Sequence, residues 1–134
     1  MKKILIILMM SLSLLLPVAV RAAATVEVDV LYMNHGPLQP TLEKLKGLFA
    51  GYGNKITPRW HDFESQEGEQ FMASKGLRRH VPLMLWINGK ETVQVEGTPC
   101  TFSGFPSGSG PEFFQGKWTL ESLAKALDQA IQKD

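Results

Sequence analysis

Three side chains in this sequence carry reactive chemistry: the imidazole of His35, the thiol of Cys100 and the carboxylate of Asp29. A neutral imidazole accepts a proton, binds a metal or hydrogen-bonds. A thiol beside a positive group ionises and becomes a nucleophile or metal ligand. Asp29, six residues before His35, is a candidate to orient it. Each has a plainer reading. His35 is then a tolerated polar residue, Asp29 lies at the exposed start of a strand, and Cys100 is inert in a core, where free cysteines are most often found. As the only cysteine, Cys100 allows no internal disulfide and no zinc site of several thiolates. It leaves open a disulfide to a partner or to a second copy, monothiol chemistry, and a metal site with His35 and His80.

Other polar groupings are weaker. His61, Asp62 and Glu64 have metal-ligating side chains without a fourth ligand in sequence, and are taken as surface residues. Arg78, Arg79 and His80 form either a solvated rim or a contact for an anion or acidic peptide. Ser107-Gly108-Ser109-Gly110 has the composition of an anion-binding nest but lacks the lysine and hydroxyl ending of a P-loop.

The chain opens with an address. Met1-Lys2-Lys3 precedes an apolar run from Ile4 to Leu16, Pro17 stops it, and Ala22 and Ala24 satisfy the small-x-small rule of signal peptidase. Residues 1-24 are expected to be a cleaved signal peptide, with Ala23 as an alternative first mature residue. An uncleaved anchor is the competing reading, because the uncharged stretch approaches membrane-spanning length. The expected location is periplasmic or secreted, with no stable membrane span after processing. Without Lys2, Lys3 and Arg21 the charge balance is 11 basic to 13 acidic residues. That balance lacks the footprint of a nucleic-acid binder, so no nucleic acid is expected. Ordinary apolar content, 44%, argues against disorder.

Residues 25-134 read as one α/β domain. Val26, Val28, Val30 and Tyr32 alternate with Glu27, Asp29 and Leu31, a strand period. Leu42, Leu45, Leu48, Phe49 and Tyr52 recur at helical spacing before Gly51 and Gly53. Ile56, Pro58 and Trp60 suggest a second strand, placed at an edge by its proline. Ser65 caps a helix through Phe71 and Met72 to Gly76. The unbroken run Leu83–Ile87 suits a strand covered on both faces, and Asn88-Gly89 is a strong hairpin signal. Thr92, Val93 and Val95 then supply the return strand. A long Gly/Phe-rich loop, 97-117, precedes a last helix capped by Thr119, with Leu120, Leu123, Ala124, Leu127 and Ile131 on one face and Trp118 stapling against Leu123. Phe102, Phe105, Phe113 and Phe114 in that loop either fold back as a small second core or line a groove or dimer surface. The order is β-α-β-α-β-β-α. If the hairpin returns its strand beside the third, Cys100 emerges at the same pole as His35 and Pro82.

These features resemble the thioredoxin-like superfamily. The run Val28-Asp29-Val30-Leu31-Tyr32-Met33-Asn34-His35-Gly36-Pro37-Leu38 is similar to the strand entering the Trp-Cys-Gly-Pro-Cys site, with His35 and Leu38 falling on the two cysteines and Gly36-Pro37 kept. Gly76-Leu77-Arg78-Arg79-His80-Val81-Pro82-Leu83 is similar to the family's Gly-Ile-Arg-x-Ile-Pro-Thr run with one extra residue. The resemblance implies a three-layer sandwich, a cis-proline at Pro82, and a buried acid at Asp29 whose pKa desolvation would raise. It also implies a peptide groove bordered by His35, Gly36, Pro37, Arg79, Val81 and Pro82. Disulfide exchange needs an attacking and a resolving thiol; with neither present at 35 and 38, dithiol-disulfide oxidoreductase activity is not expected. The expectation is a redox-inactive binding or accessory module, partnered by an exported protein or peptide and needing no cofactor. The alternative is a monothiol redox or metal-binding protein using Cys100 with His35, in which the helix end keeps His35 neutral.

Overall fold

The computed structural model describes residues 24–133; the expected signal peptide lies outside the described residues, apart from Ala24. The elements are β1 (Val26–Tyr32), α1 (Gln39–Ala50), β2 (Ile56–Asp62), α2 (Gln66–Ser74), β3 (Leu83–Ile87), β4 (Thr92–Val95), β5 (Thr98–Thr101) and α3 (Leu120–Lys133). Short 3-10 turns occupy Gly36–Leu38, Gly53–Lys55 and Glu112–Phe114. No helix among the described residues is long and apolar enough to cross a membrane.

The main sheet has the order β2-β1-β3. β1 and β2 are parallel, with Asp29 opposite Arg59 and Leu31 opposite His61. β3 lies antiparallel on the other side of β1, with Val28 opposite Ile87 and Tyr32 opposite Leu83. Strand alternation sends β1 side chains to both faces, and both are covered. On one face Val26, Val28, Val30, Leu83, Leu85 and Ile87 pack with Leu42, Leu45 and Phe49 of α1 and Leu123 and Leu127 of α3. On the other, Leu31, Met84, Trp86 and Phe63 pack with Phe71 and Met72 of α2. Every residue of β3 is buried, as its unbroken apolar run requires. Pro58 stands in β2 at the edge, where a missing N–H costs no ladder bond.

The caps hold as expected. Ser65 Oγ accepts from Gly68 N at 2.9 Å. Thr119 Oγ1 accepts from Ser122 N at 3.0 Å, while Ser122 Oγ accepts from Thr119 N at 2.9 Å. This reciprocal box lets a serine play the part usually given to glutamate. Gly68 has a stricter reason to be glycine: a Cβ there would overlap the carbonyl of Asp62, where α2 meets the end of β2.

Two expectations about the strands are corrected. Asn88-Gly89 makes the turn, with φ of 48° and 77° and Ile87 N donating to Lys90 O at 2.9 Å, but the return strand does not pair with β3. β4 pairs instead with β5, because a second tight turn at Glu96-Gly97 (φ 51° and 83°) folds the chain back on itself. The chain beyond β5 then runs along β3, with Leu85 N donating to Phe102 O at 2.9 Å and Gly104 N to Leu83 O at 2.8 Å. Pro82 is also corrected: every peptide bond among the described residues is trans, including Val81–Pro82. The trans form is the lower-energy isomer for X–Pro bonds; the Pro82 carbonyl accepts from Met33 N at 3.0 Å.

The long loop is neither open nor a separate core. Phe102, Phe105 and Trp118 enter the core beneath α1 and α3. Phe105 N donates to Phe114 O, Gly116 N to Phe105 O, and Trp118 Nε1 to Gly104 O at 3.2 Å. Gly104, at φ 79°, lies so close to the Phe114 carbonyl that a side chain would not fit. Phe113 and Phe114 are left outside, 91% and 46% exposed.

Candidate functional site: an apolar trough across Pro82

Three segments meet at the pole where β1 ends and β3 begins. Beyond β1 come Met33 and His35, followed by the turn that carries Pro37 and buries Leu38. The loop before β3 brings His80 and Pro82, and the long loop adds Phe105, Pro111 and Phe114. Together they line a cavity of about 360 Å³. His80, Pro82 and Phe114 are shared with a second depression of about 210 Å³, which Val81, Ser103 and Phe113 complete. The two form a trough crossing Pro82, apolar in its larger part, more polar where Ser103 and Gln115 border the smaller, and marked by two imidazoles.

Local bonds hold its parts. Met33 N donates to Pro82 O, and His35 N to Met33 O at 2.9 Å. Gln39 Nε2 donates to Asn34 Oδ1 at 2.8 Å. The His80 ring lies against Phe63, centroids 4.2 Å apart. His35 Nε2 stands 3.5 Å from Glu64 Oε1, both side chains more than half exposed. That pair is solvated and contributes little by itself. Of the residues expected to border a groove, His35, Pro37 and Pro82 line the larger cavity and Val81 the smaller. Gly36 adjoins them in the turn. Arg79 lines neither; it is exposed beside His80.

Cys100 does not belong to this site. The added β4–β5 hairpin puts it in β5 opposite Val93, so the chain reaches the Pro82 pole only at Gly104 and Phe105. The thiol is buried, and its S–H donates to Ser122 Oγ at 3.7 Å. The expected pairing of Cys100 with His35, as nucleophile and base or as metal ligands, is therefore corrected: the second tight turn at Glu96-Gly97 places Cys100 within β5 rather than in a loop at the Pro82 pole. His80 reaches the trough without the thiol.

Asp29 is buried, 2% exposed, but it does not orient His35. Its carboxylate accepts from Arg59 Nε at 2.9 Å and Nη2 at 3.0 Å, and faces His61 Nε2 at 2.8 Å. His61 Nδ1 lies 2.5 Å from Glu67 Oε1, and its ring stacks on Phe71 at 3.7 Å. Burial pushes the Asp29 pKa up, but the hydrogen bonds and charges of Arg59 and His61 outweigh it and hold the carboxyl below its ordinary value. The expected upward shift is thus corrected. So is the surface placement of His61, which is 7% exposed. Arg59 and His61 are two residues apart on β2, and the parallel register sets them on the same face as Asp29 and Leu31. That spacing was a signal, though one readable only once the register is known. None of these four polar residues lines the trough.

The trough combines an apolar larger part, two exposed imidazoles and a rim of loop backbone, the features of a binding cleft. Sequence reasoning missed Met33 and Pro111 as lining residues. For the phenylalanines, one reading is a groove, and Phe105, Phe113 and Phe114 fulfil it while Phe102 does not. No protein-family model and no curated protein matches this chain.

Proposed function

We propose that this chain is an exported, thioredoxin-like binding module that holds an extended segment of a partner protein in the trough across Pro82, without exchanging disulfides. The observation that carries the reading is the trough itself: two depressions sharing His80, Pro82 and Phe114. Two adjoining depressions, the larger of them apolar, suit an extended chain with side chains at alternate positions better than a compact ligand. Support for the thioredoxin-like part comes from the element order, the helices on both sheet faces and the proline directly before β3. The residues at the family's two cysteine positions are His35 and a buried Leu38, so disulfide exchange has no nucleophile there. Cys100, buried against Ser122, supplies none.

The test is an amide-resolved NMR titration of the mature protein with end-blocked peptides carrying a central Val-Phe-Val. Shifts concentrated at Met33, His35, Val81, Phe105 and Phe114, and lost in Phe114→Ser, are the expected result. Shifts scattered over the surface, or none with any peptide, would overturn it.

A further inference from the structure

We propose that the segment taken by the trough is acidic: an apolar side chain lodged by Phe105 and Phe114, flanked by carboxylates that meet Arg78 and Arg79. This rests on the trough being a binding site. Arg78, Arg79 and His80 are consecutive, exposed residues of the loop leading into β3. His80 lies against Phe63 and lines both depressions, and Arg78 and Arg79 directly precede it in the chain, exposed just outside the lining. Neither arginine has an ion pair or a side-chain hydrogen bond to another described residue. Arg59, by contrast, is held by Glu27 and Asp29.

A guanidinium presents a planar fork of donors that matches a carboxylate in two-point geometry, and two in succession make a stretch of positive potential. The nearby carboxylates stand elsewhere on the rim. Glu64 faces His35, and Glu112 opens the turn that carries Phe113 and Phe114. An acidic residue of the partner therefore finds its complement at the 78–80 end and repulsion at the Glu112 end. Phosphate would meet the same fork, but the apolar trough beside it asks for a side chain joined to the anion, which a peptide supplies.

The test uses fluorescence anisotropy with three end-blocked peptides sharing one Thr-Val-Phe-Val-Thr centre and carrying two glutamates, two glutamines or two lysines at one end only, each made in both orientations and read in the tighter one. At about 20 mM salt the glutamate peptide is expected to bind roughly fivefold more tightly than the glutamine peptide, with the two converging near 0.5 M. In Arg78→Gln/Arg79→Gln the ratio falls to about one. Equal affinity of the three peptides, or preference for lysine, overturns the acidic assignment and leaves the trough as a binding site. An unchanged ratio in the double variant overturns the role of the arginines. No binding by any of the three overturns both readings.

Discussion

His61 Nε2 lies 2.8 Å from Asp29 Oδ1, while the other ring nitrogen of His61 is 2.5 Å from Glu67 Oε1. One imidazole thus ties β1 to α2 from its place in β2, the outer strand of the sheet. An edge strand has one free side, so a side-chain clamp supplements a ladder that only β1 completes. His61→Phe preserves the stack on Phe71 but leaves the buried Asp29 one partner short. It is expected to cost about 2 kcal/mol of stability in urea unfolding. A cost within about 0.5 kcal/mol, the range of a neutral surface substitution, would show the clamp to be inconsequential.

The Asp29 carboxyl is held below its ordinary value of 3.8 in the folded protein. Between the folded pKa and 3.8 the unfolded chain binds more protons than the native one, so stability rises with pH through that window. The contribution is fully present above the unfolded value and is lost as pH falls through the folded one. Unfolding midpoints measured from pH 6 down to pH 2 should therefore fall on the acid limb, and Asp29→Asn should flatten that limb while lowering stability at pH 7. An equally steep limb in the variant would assign the acid sensitivity to other carboxylates.

Gly68 and Gly47 provide a contrast of sign. Gly68→Ala drives a methyl group into the Asp62 carbonyl, whereas Gly47 sits on the open face of α1 with nothing near its missing Cβ. Gly47→Ala is expected to raise stability by about 0.5–1 kcal/mol through helix propensity. Gly68→Ala should lower it by about 1–3 kcal/mol through overpacking. Thermal melts of the two variants check both, and a stabilised Gly68→Ala would contradict the close approach of α2 to β2.

Neighbouring phenylalanines of the long loop should behave in opposite ways. Phe105→Ala empties part of the core and is expected to cost about 3–5 kcal/mol. Phe113→Ser removes a ring that is 91% exposed and should change stability by no more than about 0.5 kcal/mol. Chemical denaturation separates the two; a large loss in Phe113→Ser would mean that its ring packs in solution.

Cys100 should resist alkylation until the protein unfolds, since the thiol is buried and donates to Ser122. Reaction with a thiol reagent is expected to track unfolding across a urea series. Rapid reaction of the native protein would return Cys100 to consideration as a working group.

Much of the architecture could be read from local patterns, because hydrophobic period and capping residues act over a few positions. The alternation in β1, the continuous run of β3, and the caps at Ser65 and Thr119 all correspond to what forms. What escaped depended on contacts between distant segments. Glu96-Gly97 lacks the strong turn signal of Asn88-Gly89, yet it makes a second tight turn and moves Cys100 from one pole toward the other end of β3. His61 looked like any polar residue of an edge strand, and only the parallel register with β1 gives it a buried acid to face. The trough was seen in part through His35, Pro37, Val81 and Pro82. Its opposite wall came from a glycine-rich loop whose path is fixed by long-range backbone bonds such as Phe105 N to Phe114 O.

The three tryptophans divide the molecule between them. Trp60 meets Tyr32 and Phe49, Trp86 meets Phe71 beneath α2, and Trp118 meets Phe102 while its indole N–H holds Gly104 O. With Trp60 and Trp86 replaced by phenylalanine, the remaining indole becomes an optical gauge of one event, the release of the long loop from the sheet. Because that loop forms a wall of the trough, its emission would tell whether a partner enters a standing channel or one that must first open.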